Sequence, residues 1–416
     1  MRPAPHLLPL VLLLLIPFGV RAAEPPATES PTAEAAPAAM TAPATAPVAE
    51  LAELRPAEAA ESPESPGTPE TPETSETSGA AGAPGTPGTP GTPGTEDAAK
   101  DSAAKRWLSR LPKVSGYVQL GYEFGDGLSS FFIKRVRLDL AGAIAPKLGY
   151  RIQLEFASPK IVDAYLEYKP LKQLNLKVGE YKIPFSIENT VYPPLKFELI
   201  EYPLALQRLM GFDDVCGLAA TGRDMGATLY GDLIERDGRA LLSYDLGVFN
   251  GEGINARDRN LSKDLAARLT LRPLRGLQIA ASYYWGEYGT EYLRRVRYGA
   301  GICYDRGRII LRSEWIGGET GLPAPEEVRH GGLLESRGWY ALGGWRATPT
   351  LTPLVRYDTF LENASSDATR QTNWTAGLLW QPVRFLRCQL NYTCEQYAAR
   401  DTDPRNVVSL MFTGIF

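Results

Sequence analysis

An alternation of apolar and polar residues, repeated from Val114 to the end of the chain, constrains the fold more than any other feature of the sequence. In RVRLDL (135–140) and YRIQLEF (150–156), every even position is apolar and every odd position is polar. In DLAARLTL (264–271) the apolar positions are the odd ones. A period of two places the two sets of side chains on opposite faces of a β-strand, whereas an amphipathic helix needs a period near 3.6. The sequence therefore predicts an all-β protein.

Gly, Pro, Asn and Asp residues divide this region into runs that are each long enough, when tilted, to cross the apolar band of a membrane. Sixteen strands are predicted, at 114–124, 131–145, 148–158, 161–169, 172–182, 223–233, 239–250, 262–272, 276–287, 295–304, 308–317, 336–347, 350–361, 370–381, 384–398 and 405–416.

The connections between these strands alternate in length. Every second one is a tight turn, such as APK at 145–147 or QPVR at 381–384, whereas most of the others are longer, up to 183–222. Short turns on one rim and long loops on the other are typical of outer-membrane barrels, and an even strand count puts both termini on the short-turn side. The connection at 159–160 departs from the pattern, because it is short where a long loop is expected.

Alternation alone does not distinguish a soluble β-sandwich from a membrane barrel, because the apolar face is internal in the first and meets lipid in the second. Arg2, the apolar run 7–18 and the small residues around Arg21 are typical of a secretory signal peptide. The last predicted strand has a mostly apolar face and ends on Phe416. We therefore expect an antiparallel transmembrane β-barrel of about 16 strands that contacts lipid. Aromatic candidates for its interfacial rings are Tyr168, Tyr283, Trp285, Trp315, Trp380, Tyr392 and Phe416.

Composition divides the chain into a signal peptide at 1–22, an extension at 23–104 and a barrel at 105–416. Residues 24–104 contain no aromatic residue and carry 14 acids against 2 bases, whereas 105–416 carry 40 bases against 34 acids. A segment rich in Ala, Pro, Thr and Glu buries too little apolar surface to fold, so a disordered periplasmic extension is expected. The excess of six bases is too small to indicate nucleic-acid binding.

Several segments within 131–272 resemble the phosphate-selective porins O and P. They are FFIKRVRLDLAGAI (131–144), IVDAYLEYKP (161–170), LNLKVGEYKIPFSIEN (174–189), RDMGATLYG (223–231) and YDLGVFNGEGINARDRNLSKDLAARLTLRP (244–273). The most specific pieces are GEYKIPFS at 179–186 and NGEG at 250–253, and the rest of the barrel region shares only the general barrel pattern.

The resemblance implies a sixteen-stranded, water-filled pore, usually a homotrimer, in a Gram-negative outer membrane. It also implies a terminal strand, ending here on Phe416, that the barrel-assembly machinery recognises. A porin lets small solutes diffuse passively, and the width and charge of its pore set the selectivity.

Basic residues predicted to face the pore or to lie in the long loop 183–222 are the candidate anion path. They are Arg135, Arg137, Arg151, Lys177, Lys182, Lys196, Arg208, Arg223, Arg268, Arg297, Arg312 and Arg356. Arginine suits oxyanions such as phosphate because its planar fork donates paired, charge-assisted hydrogen bonds. Acids are also expected to face inward and to form cross-strand pairs with these bases: Asp139, Glu155, Asp163, Glu167, Asp264, Glu314 and Asp358. An anion preference is therefore expected, and the solute itself stays open.

Two other functions differ from passive transport: a barrel hydrolase, and a structural anchor or adhesin. A barrel hydrolase needs a nucleophile with a general base, and outside the signal peptide the chain has one histidine, His330, without a recognisable partner motif. No enzyme activity is expected, and the four cysteines match no metal or cofactor motif. The alternative to a porin is a barrel that serves as a structural anchor or adhesin without significant transport.

Overall fold

A computed structural model describes residues 112–211, 213–218, 221–323, 332–399 and 403–416. The predicted signal peptide, the predicted extension and His330 lie outside these residues. In the described part of the chain, sixteen strands form one closed antiparallel barrel in which each strand pairs with its neighbours in sequence.

The strands are β1 (Lys113–Gly125), β2 (Leu128–Ala145), β3 (Leu148–Glu155), β4 (Lys160–Tyr168), β5 (Asn175–Lys182), β6 (Arg223–Arg236), β7 (Arg239–Phe249), β8 (Asp264–Leu271), β9 (Leu277–Tyr288), β10 (Leu293–Arg306), β11 (Ile309–Gly321), β12 (Leu333–Trp345), β13 (Leu351–Leu361), β14 (Arg370–Val383), β15 (Leu386–Tyr397) and β16 (Arg405–Ile415). Every predicted strand has a counterpart among them, which confirms the predicted fold class. A short 3₁₀ turn, Asp367–Thr369, precedes β14.

The barrel closes between its first and last strands. Tyr117 lies opposite Ile415, and Phe124 lies opposite Val408. Beyond the regular ladder, the backbone N–H of Gly116 donates to the carbonyl of Phe416 at 2.9 Å, and the N–H of Phe416 donates back at 3.0 Å. Pairing of β1 with β16 leaves neither strand as an exposed edge, which removes a common route to aggregation.

The two rims of the barrel differ. The short-turn rim carries the connections 146–147, 169–174, 237–238, 272–276, 307–308, 346–350 and 384–385. The long-loop rim carries 126–127, 156–159, 183–222, 250–263, 289–292, 322–332, 362–369 and 398–404. The connection before β4 is short, as its sequence indicated, and the turn at Asp126-Gly127 is shorter still.

The outer face of the wall is apolar. On β7 and β8 the outward side chains Leu246, Val248 and Leu265 are about half exposed, while Asp245 and Arg268 point inward to each other. The seven aromatic residues suggested for the interfacial rings are all exposed on this outer face. Among the described residues, no helix is long and apolar enough to cross a bilayer.

The connection 183–222, which we call the inward loop, folds into the barrel. It contains two short helices, α1 (Ile187–Val191) and α2 (Leu204–Met210). Its apolar side chains form a buried cluster with inward residues of the wall, among them Tyr340, Leu342 and Leu354. The resemblance implied a water-filled pore, but along β9–β13 the inner face of the wall carries apolar residues that the loop covers.

Candidate functional site: the channel constriction

The inward loop starts in the GEYKIPFS segment. Beyond Lys182, the last residue of β5, Ser186 adopts a φ of 68° and its hydroxyl caps α1 by accepting from the backbone N–H of Asn189. Glu314 on β11 accepts from the backbone N–H groups of Ile187 at 2.6 Å and Glu188 at 2.9 Å. A carboxylate at the first turn of a helix satisfies N–H groups that have no partner within the helix. The barrel wall thus fixes the point at which the chain turns inward.

The loop returns to the wall at Gly222, close to where it left. The amide of Asn189 donates to the carbonyls of both Ile183 and Gly222 at 3.2 Å, which ties the two ends together. Gly222 has a φ of 68°, and a Cβ at this position would lie 2.4 Å from the Asn189 side chain. Glycine is therefore required here both for its backbone conformation and for space.

A buried ion cluster fixes the far end of the loop to β10. Asp214 accepts from Arg295 at 2.9 Å and from Arg297 at 3.1 Å, and all three side chains are fully buried. Burial alone would raise the pKa of Asp214, but the two guanidinium groups outweigh it and hold the pKa below its usual range. Arg297 also donates to the carbonyl of Leu209 at 2.8 Å, so it binds both the end of α2 and the segment that follows.

Further anchors lie on β11, β13 and β15. Arg312 pairs with Glu188 at 2.8 Å and Glu198 at 2.6 Å, and its guanidinium lies 3.5 Å from the ring centre of Tyr192. Arg356 donates to the backbone carbonyl of Glu201 at 2.6 Å. On β15, Arg387 and Gln389 donate to backbone carbonyls of the inward loop.

These contacts separate the predicted basic residues into two groups. Arg297 and Arg312 point inward as predicted, but they are buried beneath the loop and anchor it rather than face water. Arg356 also points inward and anchors the loop, and with 4% exposure it borders a cavity near the long-loop rim. Sequence analysis missed Arg295 and Arg387, which serve the same purpose. The alternation of the strands could have identified both. Arg295 lies two residues from Arg297 and Arg387 lies two residues from Gln389, so each shares the inward face of its strand.

The second group lines a cavity of about 440 Å³ between the loop and β1–β8. We call this cavity the basic chamber. Six of the predicted basic residues line it: Arg137, Arg151, Lys177, Lys182, Arg223 and Arg268. Three carboxylates line it as well: Asp139, Asp163 and Asp245. The inward loop contributes Pro193, Pro194 and Leu195, and the exposed Lys196 follows directly.

Most of the basic residues in the chamber form ion pairs. Arg151 contacts Asp139 and Asp163, the latter at 3.0 Å. Arg223 also pairs with Asp163 at 2.9 Å, and Arg268 pairs with Asp245 at 3.1 Å. Two pairs reach carboxylates behind the lining: Arg137 with Glu155 at 2.8 Å, and Lys177 with Glu167 at 3.4 Å. These pairs are cross-strand ion pairs of the kind that the sequence indicated. The expectation was wrong for Asp264 and Glu314, which accept from hydroxyl and backbone N–H groups and form no ion pair within the described ranges.

Lys182 differs from the other five. In the described ranges no ion pair joins it to a carboxylate, and its ammonium group donates to the carbonyl of Asn189. It also lines a cavity of only about 10 Å³ that shares Arg137, Arg223 and Pro194 with the basic chamber. That volume corresponds to roughly one water molecule. We call this position the constriction. Arg135 lies beside it on β2, where it donates to Gln119 at 2.8 Å.

A third cavity of about 480 Å³ lies toward the long-loop rim. We call it the outer vestibule. It shares Gln207 of α2 with the lining of the constriction. Arg208 lines it and pairs with Asp213 at 2.6 Å and with Glu362. The inward loop therefore separates a vestibule at one end from the basic chamber at the other.

Comparison with known proteins agrees with this architecture. Residues 115–292 and 289–414 match the family described as phosphate-selective porin O and P. The second segment extends the likeness into the half of the barrel that the sequence analysis connected to the family only by its general pattern. An uncharacterized protein of Caulobacter vibrioides is 25% identical over 336 residues, which cover 68% of this chain and 65% of that protein. The match thus spans slightly less than two thirds of that relative.

Solved structures show the same fold at low identity. The anion-selective porin from Comamonas acidovorans has a TM-score of 0.54 at 12% identity, covering 73% of this chain and 99% of that one. OmpT, an outer-membrane protein of Vibrio cholerae, has a TM-score of 0.53 at 10% identity, covering 73% and 97%. OmpF of Salmonella typhi, in complex with daunomycin, has a TM-score of 0.51 at 10% identity, covering 74% and 99%.

The family match covers both halves of a closed barrel whose bore is narrowed by an inward loop. The chain therefore belongs to the phosphate-selective porin O and P family and is a porin of the Gram-negative outer membrane.

Proposed function

We propose that this porin lets small solutes diffuse passively and that it prefers anions, with phosphate and other oxyanions among the candidate solutes. The observation that carries the proposal is the position of Lys182. Its ammonium group lies at the constriction, beside Arg137 and Arg223, and has no carboxylate partner among the described residues. Three basic side chains therefore converge at this point, and one of them forms no ion pair among the described residues.

The charge balance of the basic chamber supports a modest preference. Six bases line the chamber, and their ion pairs use five carboxylates: Asp139, Glu155, Asp163, Glu167 and Asp245. Six minus five leaves a net charge of +1. A wall of this kind attracts anions without binding them tightly, and conduction requires that a solute can also leave.

Arg151 supplies a second position where an anion could pause. Its side chain is 34% exposed, more than that of any other arginine in the chamber, although it pairs with two carboxylates. Guanidinium groups stay charged at any working pH and donate two parallel hydrogen bonds to an oxyanion. An anion can therefore share such a group with its resident carboxylates and then move on.

Orientation and assembly are part of the same proposal. The short-turn rim and the N-terminal extension lie in the periplasm, the outer face contacts lipid, and Phe416 belongs to the segment recognised by the barrel-assembly machinery. The protein forms a homotrimer, as its family usually does. One of the similar solved structures, OmpT of Vibrio cholerae, is described in a trimer form.

The test is the zero-current potential of the purified porin in planar bilayers across a KCl gradient. We expect wild type to favour chloride over potassium. Lys182→Gln should lose much of that preference, because it removes one positive charge from a chamber whose net charge is only +1. Lys182→Arg should retain the preference.

Lys172→Gln is the matched control. Lys172 lies on the short-turn rim, is 71% exposed and pairs with Glu235, so its neutralisation should leave the zero-current potential unchanged. An unaltered potential in Lys182→Gln would reject the assignment of the constriction. A correctly folded barrel that carries no current would instead favour the structural anchor.

A further inference from the structure

The two large cavities lie at different heights along the same strands. On β1, Ser115 and Tyr117 line the basic chamber, whereas Glu123 lines the outer vestibule. On β16, Ile415 lines the chamber and Ser409 the vestibule. Six residues of strand correspond to about 20 Å along the chain, and somewhat less along the axis of a tilted barrel. At about 0.1 M salt this exceeds the Debye length of about 10 Å, so each cavity has its own electrostatic field.

The outer vestibule has an excess of negative charge. Five carboxylates and three guanidinium groups line it: Glu123, Glu201, Asp213, Glu362 and Glu395, against Arg208, Arg356 and Arg405. Two charged partners lie behind this lining, Lys134 next to Glu201 and Asp358 next to Arg356. They cancel each other, so the net charge of the described residues stays at −2.

The exposure of the vestibule side chains increases the effect of this negative charge on mobile ions. The side chains of Asp213, Glu201 and Glu362 are 74%, 52% and 44% exposed. Their basic partners lie deeper, with Arg208 29% and Lys134 15% exposed. Arg405 is the exception, at 48% exposed against 18% for Glu395. Mobile ions in the vestibule therefore meet three well-exposed carboxylates and one well-exposed guanidinium group, whereas ions in the basic chamber meet a net positive wall.

We infer that the fixed charge of the pore changes sign along its axis and that the channel therefore rectifies ion current. Cations are enriched in the outer vestibule and anions in the basic chamber. When the long-loop side is positive, cations enter through the vestibule and anions through the chamber, so both carriers accumulate at the constriction and conductance rises. At the opposite voltage both are drawn away from the constriction and conductance falls.

This inference rests on the proposed channel function, and single-channel current–voltage curves separate the two. The purified full-length protein in planar bilayers, with KCl as the probe, should pass more current when the long-loop side is positive. The ratio of currents at equal and opposite voltages should exceed 1 at about 0.1 M KCl and fall to about 1 at 1 M, where the Debye length is about 3 Å. Absence of current would count against the channel itself, whereas symmetric curves at low salt would overturn only the rectification.

Orientation is marked at the short-turn rim. Asp237 is 82% exposed in the turn between β6 and β7, and the native cysteines are free. In a variant whose four native cysteines are replaced by serine, Asp237→Cys carries biotin at this rim alone, and streptavidin added to one compartment reports which rim faces it. Rectification of the opposite sign in marked channels would also overturn the inference.

The double variant Glu201→Gln with Glu362→Gln tests the cause. It changes the net charge of the vestibule from −2 to 0, so the low-salt current ratio should fall toward 1 while chloride preference increases. Glu235→Gln is the control, because Glu235 lies on the short-turn rim outside all three cavities and pairs with Lys172. A current ratio that stays unchanged in the double variant would overturn the inference that the negative charge of the outer vestibule causes the rectification.

Discussion

The arginines of the inner wall have two roles: some line the basic chamber, and others anchor the inward loop. The role of each depends on whether the inward loop covers its side chain. Arg151 on β3 and Arg297 on β10 both point inward, and both contact carboxylates. Arg151 borders the basic chamber, whereas Arg297 is fully buried beneath the inward loop. Alternation in the sequence predicts the direction of each side chain, because the period of a strand is two. It carries no information about which inward residues a loop distant in the sequence will cover, so this part of the site required the structure.

Asp214 provides a residue-level prediction about the loop. Asp214→Asn leaves two buried guanidinium groups without their carboxylate, and breaking a buried ion pair costs about 3–5 kcal/mol. We expect the segment after α2 to detach, with faster amide hydrogen exchange and new protease cleavage in the loop. Because the pKa of Asp214 is lowered, the stability that the wild-type anchor contributes should be fully present above the ordinary aspartate value of 3.8 and be lost as pH falls from there through the lowered value.

Asp213→Asn is the matched control for this prediction. Asp213 is the preceding residue, but it is 74% exposed and forms a surface ion pair with Arg208. Such pairs contribute about 0–1 kcal/mol, so exchange and cleavage should stay close to wild type. Equal effects of the two substitutions would contradict the assignment of Asp214 as an anchor.

Among the elements, the strands and the inward loop follow different rules. Strand positions were predictable to within a few residues, because alternation and turn residues are local signals. The long loop 183–222 was predicted from the sequence, but its path into the barrel and its packing depend on contacts between distant residues, such as Glu314 with the first turn of α1. The GEYKIPFS segment was recognised as characteristic of the family. The structure adds the physical reason, since it places Lys182 at the constriction and turns the chain at Ser186.

Shortening the loop tests its role as an element. Lys182 and Arg223 lie directly opposite each other on β5 and β6, so a two-residue Asn-Gly turn can replace residues 183–222. We expect a several-fold larger single-channel conductance. Chloride preference should also rise, because Arg295, Arg297 and Arg312 would become exposed to water without the loop carboxylates that now pair with them.

Replacement of the connection 289–292 by the same Asn-Gly turn is the control, because Tyr288 and Leu293 also lie opposite each other, and it should leave conductance close to wild type. Folding of both variants can be checked by circular dichroism and by the heat-dependent gel mobility typical of closed barrels. A shortened, folded barrel with unchanged conductance would contradict the view that this loop sets the width of the pore.

The whole molecule combines a lipid-facing exterior with a bore that the inward loop divides. The exterior, the strand count and the closure of β1 on β16 all follow from the alternation and the even number of runs, and the structure confirms them. The division of the bore does not follow from any local pattern. It arises because the wall along β9–β13 carries apolar residues that pack against the loop, which leaves the basic chamber along β1–β8.

The central claim is that an aqueous path crosses this barrel, and liposome swelling tests it most directly. Liposomes that contain the purified porin are placed in isotonic solutions of sugars of increasing size. We predict rapid swelling in the smallest sugars, slower swelling as size increases, and faster swelling in every sugar for the loop-shortened variant. If the folded wild-type barrel admitted no solute of any size, the claim that it forms a channel would be contradicted.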